Sequence, residues 1–145
     1  MRIAIAADHA GYELKQILAD DLRTSGHDVD DLGTDSLDSV DYPDYGAAVG
    51  QAVVKGEAEL GIAVCGSGIG IGIAANKVPG VRAATVADAT GARLSREHNN
   101  ANVLCLGQRL TGPAVALDAV HAFLTASFEG GRHQRRVDKI ADLER

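Results

Sequence analysis

The sequence predicts an α/β protein built on an open sheet of five parallel strands flanked by helices. Three observations carry this expectation. Short apolar runs alternate with amphipathic segments in the order βαβαβαβαβαα, and such alternation implies parallel strands joined by right-handed crossovers. The runs are dominated by Ala, Val, Ile and Leu, with aromatics at only 3%, as suits strands covered on both faces. Glycine-rich or polar turns follow the strand ends, where open α/β sheets collect their ligands.

Each element has its own warrant. Arg2–Ala7 (RIAIAA) reads as a buried strand and Asp8-His9-Ala10-Gly11 as its turn. Tyr12–Arg23 carries Leu14, Ile17, Leu18 and Leu22 as a helical stripe that Gly26 ends. Asp28–Leu32 is a second strand, followed by an Asp-rich loop, Gly33–Pro43, closed by Asp41-Tyr42-Pro43. Residues 44–55 form a helix stopped at Gly56, and Leu60–Val64 is the third strand. A short helix, Ile69–Asn76, runs to the Pro79-Gly80 turn; Arg82–Ala87 is the fourth strand and Ala89–Glu97 a helix. Val103–Leu106 is the fifth strand, Thr111–Ala126 a long helix, and Gly130-Gly131 a break before a last helix, Arg132–Leu143. The result is a three-layer, Rossmann-like arrangement in a single domain, residues 1–145.

Bulk composition excludes several classes of function. With 14 basic and 20 acidic residues the formal charge is −6, a poor match to nucleic acid or an anionic membrane. No apolar run is long enough for a bilayer, and Met1 leads straight into a strand, so a cytoplasmic protein is expected. Cys65 and Cys105 lack zinc or CxxC spacing and belong to apolar strands, which favours a reducing compartment. No group of His, Cys, Asp or Glu has metal-ligand spacing, so neither metal nor cofactor is expected.

The chemistry gathers at LGIAVCGSGIGIGIAAN, residues 60–76. Cys65 ends a strand and precedes a turn containing Gly66, Ser67, Gly68 and Gly70, which feeds a helix through Ile69. A helix N-terminus favours a thiolate and aims free N–H groups at an anion, so Cys65 reads as a base or nucleophile beside an oxyanion cradle. The plainer reading, a small buried hydrophobe, is kept for Cys105. The turn is no dinucleotide fingerprint, because Ile71 stands where GxGxxG requires glycine. Asp8-His9 reads equally well as a site pair or as a capping Asp with a surface His; His98-Asn99-Asn100 alone reads as a helix C-cap. Arg132 and Arg136 sit i and i+4 at a helix start, where cations oppose the dipole, and a phosphate partner explains them. Asp88 and Gln108-Arg109 fall at strand ends on the same edge, while Asp118 and Glu129 read as solvated charge.

Five ordered blocks carry a resemblance: AADHAG at 6–11, DYPDY at 41–45, CGSGIGIGIAANK at 65–77, LSREHNNANVLCLGQR at 94–109 and EGGRHQRRV at 129–137. Together they resemble type B ribose-5-phosphate isomerase, within the ribose/galactose isomerase family, from residue 3 to about residue 140. The resemblance implies a metal-free aldose–ketose isomerase working through a cis-enediolate. Ribose 5-phosphate is the implied substrate, with allose 6-phosphate, galactose 6-phosphate or a tetrulose phosphate as alternatives. It implies Cys65 as the base, and Ser67 with the amides of Gly66–Gly70 as stabilisers of the enediolate oxygen. His98 would open the furanose ring with help from Asp8. His9, Arg132 and Arg136 would hold phosphate, with Arg109, Asn99 and Tyr42 lining the site. One branch of the family uses a glutamate base six residues after this cysteine; Ile71 stands there, which assigns the chain to the cysteine branch.

Topology adds a constraint. The helix ending at His98-Asn99 should return to the edge opposite Cys65, yet the resemblance places His98 beside the sugar, so a homodimer with shared active sites is expected, extendable to a dimer of dimers. The last helix, about 132–144, is expected to pack on the partner subunit. Two rival readings are a cysteine hydrolase using Cys65, His98 and Asp8, and a non-catalytic phosphosugar-binding module.

Overall fold

The structure, a computed structural model, describes residues 1–144. Its strands are β1 (Arg2–Ala7), β2 (Asp28–Asp31), β3 (Leu60–Cys65), β4 (Ala83–Thr85) and β5 (Val103–Gly107). The helices are α1 (Tyr12–Thr24), α2 (Tyr42–Val54), α3 (Ile69–Ala75), α4 (Ala89–Asn99), α5 (Pro113–Thr125) and α6 (Arg132–Asp142). The strands form one sheet in the order β2-β1-β3-β5-β4, with every pairing parallel. The expected α/β open sheet is therefore present. No helix among the described residues is long and apolar enough to cross a membrane.

Period-two alternation divides each strand between two cores. Ile3, Ile5, Ile62, Val64, Leu104 and Leu106 face one way, against Leu14, Leu18, Ala119 and Phe123. Ala4, Ala6, Ala63, Cys65, Val103 and Cys105 face the other way, against Val49, Ala52, Ile71 and Ala75. The helix after β1 thus covers one face and the helix after β3 the other. Adjacent strands whose connections leave on opposite faces open a crevice at their C-terminal ends. That crevice lies between Asp8 and Cys65.

Element bounds differ from expectation at two proline-containing helix starts, at the sheet edge and at the end of α4. α2 begins at Tyr42, because Pro43 occupies the first turn of the helix, where a missing N–H costs nothing. By the same rule Gly112 caps α5 and Pro113 starts it. The edge strand β4 is shorter than the apolar run that predicts it. α4 runs on to Asn99 and ends at Asn100, whose φ of 47° makes a left-handed cap.

One buried charge steers the loop beside the crevice. Lys15 is only 1% exposed, and its Nζ donates to Asp31 Oδ1 at 2.7 Å, Asp31 Oδ2 at 2.9 Å and the Thr34 carbonyl at 2.6 Å. The amide of Thr34 in turn donates to the Ala7 carbonyl at 2.7 Å, fixing the β2–α2 loop against the end of β1.

Candidate active site

A cleft of about 620 Å³ opens above the C-terminal ends of β1 and β3. Asp8, Cys65, Gly66, Ser67, Gly70 and Arg109 line its floor and one wall; Tyr42, Ile69, Ile73 and Leu110 form much of the rest. Eight of the residues singled out in the sequence therefore share one cavity: Asp8, Tyr42, Cys65, Gly66, Ser67, Ile69, Gly70 and Arg109.

The glycine turn builds the centre. Gly68 has φ 76°, a left-handed conformation, and a Cβ there would lie 2.8 Å from the Leu106 carbonyl carbon. Only glycine fits, and the turn it permits aims the Gly68 amide at Cys65 Sγ, 3.1 Å away. This alters one expectation: the Gly68 amide is spent on the sulfur, and Gly68 itself does not line the cleft. The Ser67 hydroxyl accepts from the Ile69 amide at 3.2 Å, so its own proton is left to donate elsewhere. The loop after β5 is bonded onto this turn. Gln108 N–H donates to the Cys65 carbonyl at 2.9 Å and Arg109 N–H to the Gly66 carbonyl at 3.0 Å, which sets the Arg109 side chain over Gly66. Tyr42 lies across Gly70, where a Cβ would meet its ring at 2.6 Å.

The first turn combines two roles. Asp8 is buried, and its Oδ1 accepts from Ala10 N–H at 3.0 Å and Gly11 N–H at 3.1 Å, so one carboxylate oxygen organises the turn. His9 Nδ1 accepts from the Val40 amide at 3.1 Å, which sets the neutral ring as the Nε2–H tautomer. Asp88 and Gln108, also expected on this edge, serve helices instead. Asp88 Oδ1 caps α4 through Gly91 N–H at 2.8 Å, and Gln108 Oε1 accepts from Leu14 N–H in the first turn of α1 at 3.0 Å.

The remaining expected residues lie elsewhere in the chain. The segment after α4 reaches the N-terminal end of the sheet, where Gly61 N–H at the start of β3 donates to the Asn102 carbonyl. His98 and Asn99 close α4 at that end, remote from the cleft, as the topological reading expects. Arg96 NH1 anchors the helix end through the Ala101 carbonyl at 2.6 Å and Asn100 Oδ1 at 3.1 Å. His98 stacks on His133 of α6 with ring centroids 4.4 Å apart. Arg132 and Arg136 stand exposed on α6 beside this pair. Glu129, read from sequence as solvated, brings Oε1 within 3.4 Å of His133 Nε2 and 3.9 Å of His98 Nε2. Sequence spacing hid this cluster, because His98 and Glu129 belong to different segments.

Burial separates the two thiols. Cys105 is fully buried, and desolvation, aided by the neighbouring Cys65, pushes its pKa up to about 12 despite a hydrogen bond with Thr85. It fits the packing role expected of it. Ile71, at the position of the alternative glutamate base, is wholly buried in the core between α2 and the sheet, so its side chain takes no part in the cleft.

The sequence and the fold are both similar to those of known proteins. The sequence profile of the ribose/galactose isomerase family matches residues 3–140. The chain is 46% identical over 143 residues to ribose-5-phosphate isomerase B of Escherichia coli (strain K12), covering 99% of this chain and 96% of that one. The solved structure of Clostridium thermocellum ribose-5-phosphate isomerase B superposes with a TM-score of 0.98 at 53% identity, covering 99% of this chain and 97% of that one. Ribose-5-phosphate isomerase B from Mycoplasma genitalium, solved with bound ribulose-5-phosphate, superposes at 0.95 with 48% identity, covering 99% of this chain and 95% of that one.

Proposed function

The chain belongs to the ribose/galactose isomerase family, and on that premise we propose that it interconverts ribose 5-phosphate and ribulose 5-phosphate with Cys65 as the base. The observation that carries this reading is the Cys65 sulfur, with the Gly68 amide aimed at it, in one cleft with Ser67. Isomerisation removes a weakly acidic C–H proton next to a carbonyl. It requires a base, donors for the oxygen that becomes negative, and exclusion of water.

The Cys65 thiolate takes the proton from C2 of the open aldose to give the cis-enediolate and returns it to C1, while the proton of the O2 hydroxyl passes to O1. The Ser67 O–H and the amides of Gly66 and Gly70 stabilise the enediolate oxygen. Tyr42 packs on the sugar, and the Asp8 carboxylate accepts from a hydroxyl near C1 and so helps His98 to open the furanose ring. His9, through Nε2–H, Arg132 and Arg136 hold the phosphate, while Arg109 and Asn99 line the site.

The assembly is a homodimer in which His98, Asn99, Arg132 and Arg136 reach the partner's cleft. Two observations support it. The cleft rim is exposed and apolar, with Ile69 54%, Ile73 58% and Leu110 68% accessible, a poor boundary for a reaction that must exclude water unless a second chain covers it. The remaining groups needed for ring opening and phosphate binding lie at the other end of the sheet. A hydrolase triad of Cys65, His98 and Asp8 within one chain is disfavoured by the same separation.

The test is Cys65→Ala assayed by conversion of ribose 5-phosphate and by incorporation of solvent deuterium into product. Both should fall to background while circular dichroism stays unchanged, since a buried Cys-to-Ala change at a strand end alters little packing. Turnover near the wild-type rate would sink the assignment of the base. Binding of ribulose 5-phosphate by a wild-type protein that never turns it over would favour a sugar-phosphate sensor.

A further inference from the structure

Glu129 Oε1 lies 3.4 Å from His133 Nε2 and 3.9 Å from His98 Nε2, and the three donor atoms all fall within 4.8 Å of one another. His133 is 6% exposed, and its Nε2 has no hydrogen-bond partner among the described residues. A buried ring nitrogen left unpaired is costly and calls for a ligand. The backbone holds the group in place: Glu129 N–H donates to the Glu97 carbonyl at 3.0 Å, and His133 N–H to the Gly130 carbonyl at 2.9 Å. The donors therefore come from a fixed corner between the end of α4 and the start of α6.

Two imidazoles and a carboxylate are the donor set of three-ligand zinc sites that keep a fourth position open. Metal–ligand bonds of about 2.0–2.2 Å in tetrahedral geometry place neighbouring donors roughly 3.3–3.6 Å apart. The Glu129–His133 separation already meets this, whereas His98, 3.9 Å from Glu129 and within 4.8 Å of His133, must approach both. The rings are within 12° of parallel, so their lone pairs do not yet converge, and His98 must turn out of the stack. Its side chain is 38% exposed and has room to turn, whereas that of His133 is buried.

We propose that His98, Glu129 and His133 bind a borderline divalent transition-metal ion, of which Zn²⁺ is the type, and that occupation inhibits the isomerase. Zinc bound to His98 Nε2 takes the lone pair that ring opening needs and turns the imidazole away from the neighbouring cleft. The inhibitory half rests on the ring-opening role proposed above for His98; the binding half does not. Two imidazoles suit Zn²⁺, Co²⁺, Ni²⁺ and Cu²⁺ and disfavour Mg²⁺ and Ca²⁺, so the site discriminates by ligand type.

The test separates the two halves. Zinc is titrated calorimetrically into chelator-stripped Cys65→Ala protein, which removes the thiolate as a competing ligand. One ion per chain is expected, with the affinity reduced at least about tenfold by adding Glu129→Gln, an exposed change that should leave the fold intact. Magnesium should give no heat. Turnover of wild type should then fall over the same zinc range and return with chelator. Glu129→Gln should keep its basal turnover and need at least about tenfold more zinc for inhibition. Absence of binding below about 1 mM zinc, or equal affinity after Glu129→Gln, overturns the site. Equal inhibition of wild type and Glu129→Gln places zinc on Cys65 instead and overturns the proposal. Zinc bound at one per chain with turnover unchanged overturns the inhibitory half, and with it the assignment of His98 to ring opening.

Discussion

Mixing two dead variants should restore activity. Cys65 ends β3 and His98 closes the helix that returns to the start of β5, so the two lie at opposite ends of the sheet. Six strand residues at about 3.3 Å each put roughly 16–20 Å between those ends. A group that moves protons on the substrate must come within about 3 Å of it, so His98 is far out of reach of its own cleft. Cys65→Ala and His98→Ala homodimers should therefore each be inactive. After subunit exchange at equal concentration, random pairing makes about half of the dimers mixed. In each mixed dimer, two-fold symmetry leaves one site with both residues and one with neither. The expected recovery is about one quarter of wild-type turnover per chain. Exchange is verified by native mass spectrometry on an isotope-labelled variant, and turnover is followed as ribulose 5-phosphate formation. Verified mixed dimers with no turnover would show that His98 serves its own chain, and the separation argued here would be irrelevant to the reaction.

Two further outcomes follow from burial. A thiol reagent at mildly alkaline pH should modify one cysteine per native chain, Cys65. Cys105, with its pKa raised to about 12 by burial and then by Cys65, should react only after unfolding. Substrate should protect Cys65, and peptide mapping that finds Cys105 labelled first would contradict this. Lys15→Met should lower the unfolding free energy by roughly 3–5 kcal/mol, because it strands the Asp31 carboxylate and the Thr34 carbonyl that Lys15 now joins. Urea denaturation reads the change, and a loss below about 1 kcal/mol would mean the pair is worth no more than a surface bridge.

The element order and the glycine turn after Cys65 were legible because their signals are local. Apolar runs closed by glycine mark the strands, and Cys65 followed by Gly66-Ser67-Gly68 declares a strand, a turn and a helix within ten residues or so. What escaped depends on contacts distant in sequence. The order β2-β1-β3-β5-β4, with β5 inserted beside β3, follows from crossovers that periodicity does not encode. Lys15 looks like a solvated helix residue until Asp31 and Thr34 enclose its amine. The meeting of His98, Glu129 and His133 needs the fold of the whole C-terminal third. The Gly68 amide was assigned to the substrate because spacing reveals that an N–H is free, not what it points at.

The two faces of the sheet tolerate mutation in opposite directions. One is lined by Ile3, Ile5, Leu104, Leu106 and Phe123, and there the danger is emptiness: Phe123→Ala should leave a void and cost on the order of 3–5 kcal/mol. The other is lined by Ala4, Ala6, Ala63 and Cys105, and there the danger is crowding, since an added methyl or two has nowhere to go beneath α2 and α3. Because α3 follows directly on the turn that aims at Cys65, a residue that swells this second face displaces the cleft-lining loop without touching it. Sequence drift in such a chain should therefore run toward compensated exchange of large side chains on one face and near-fixed small ones on the other.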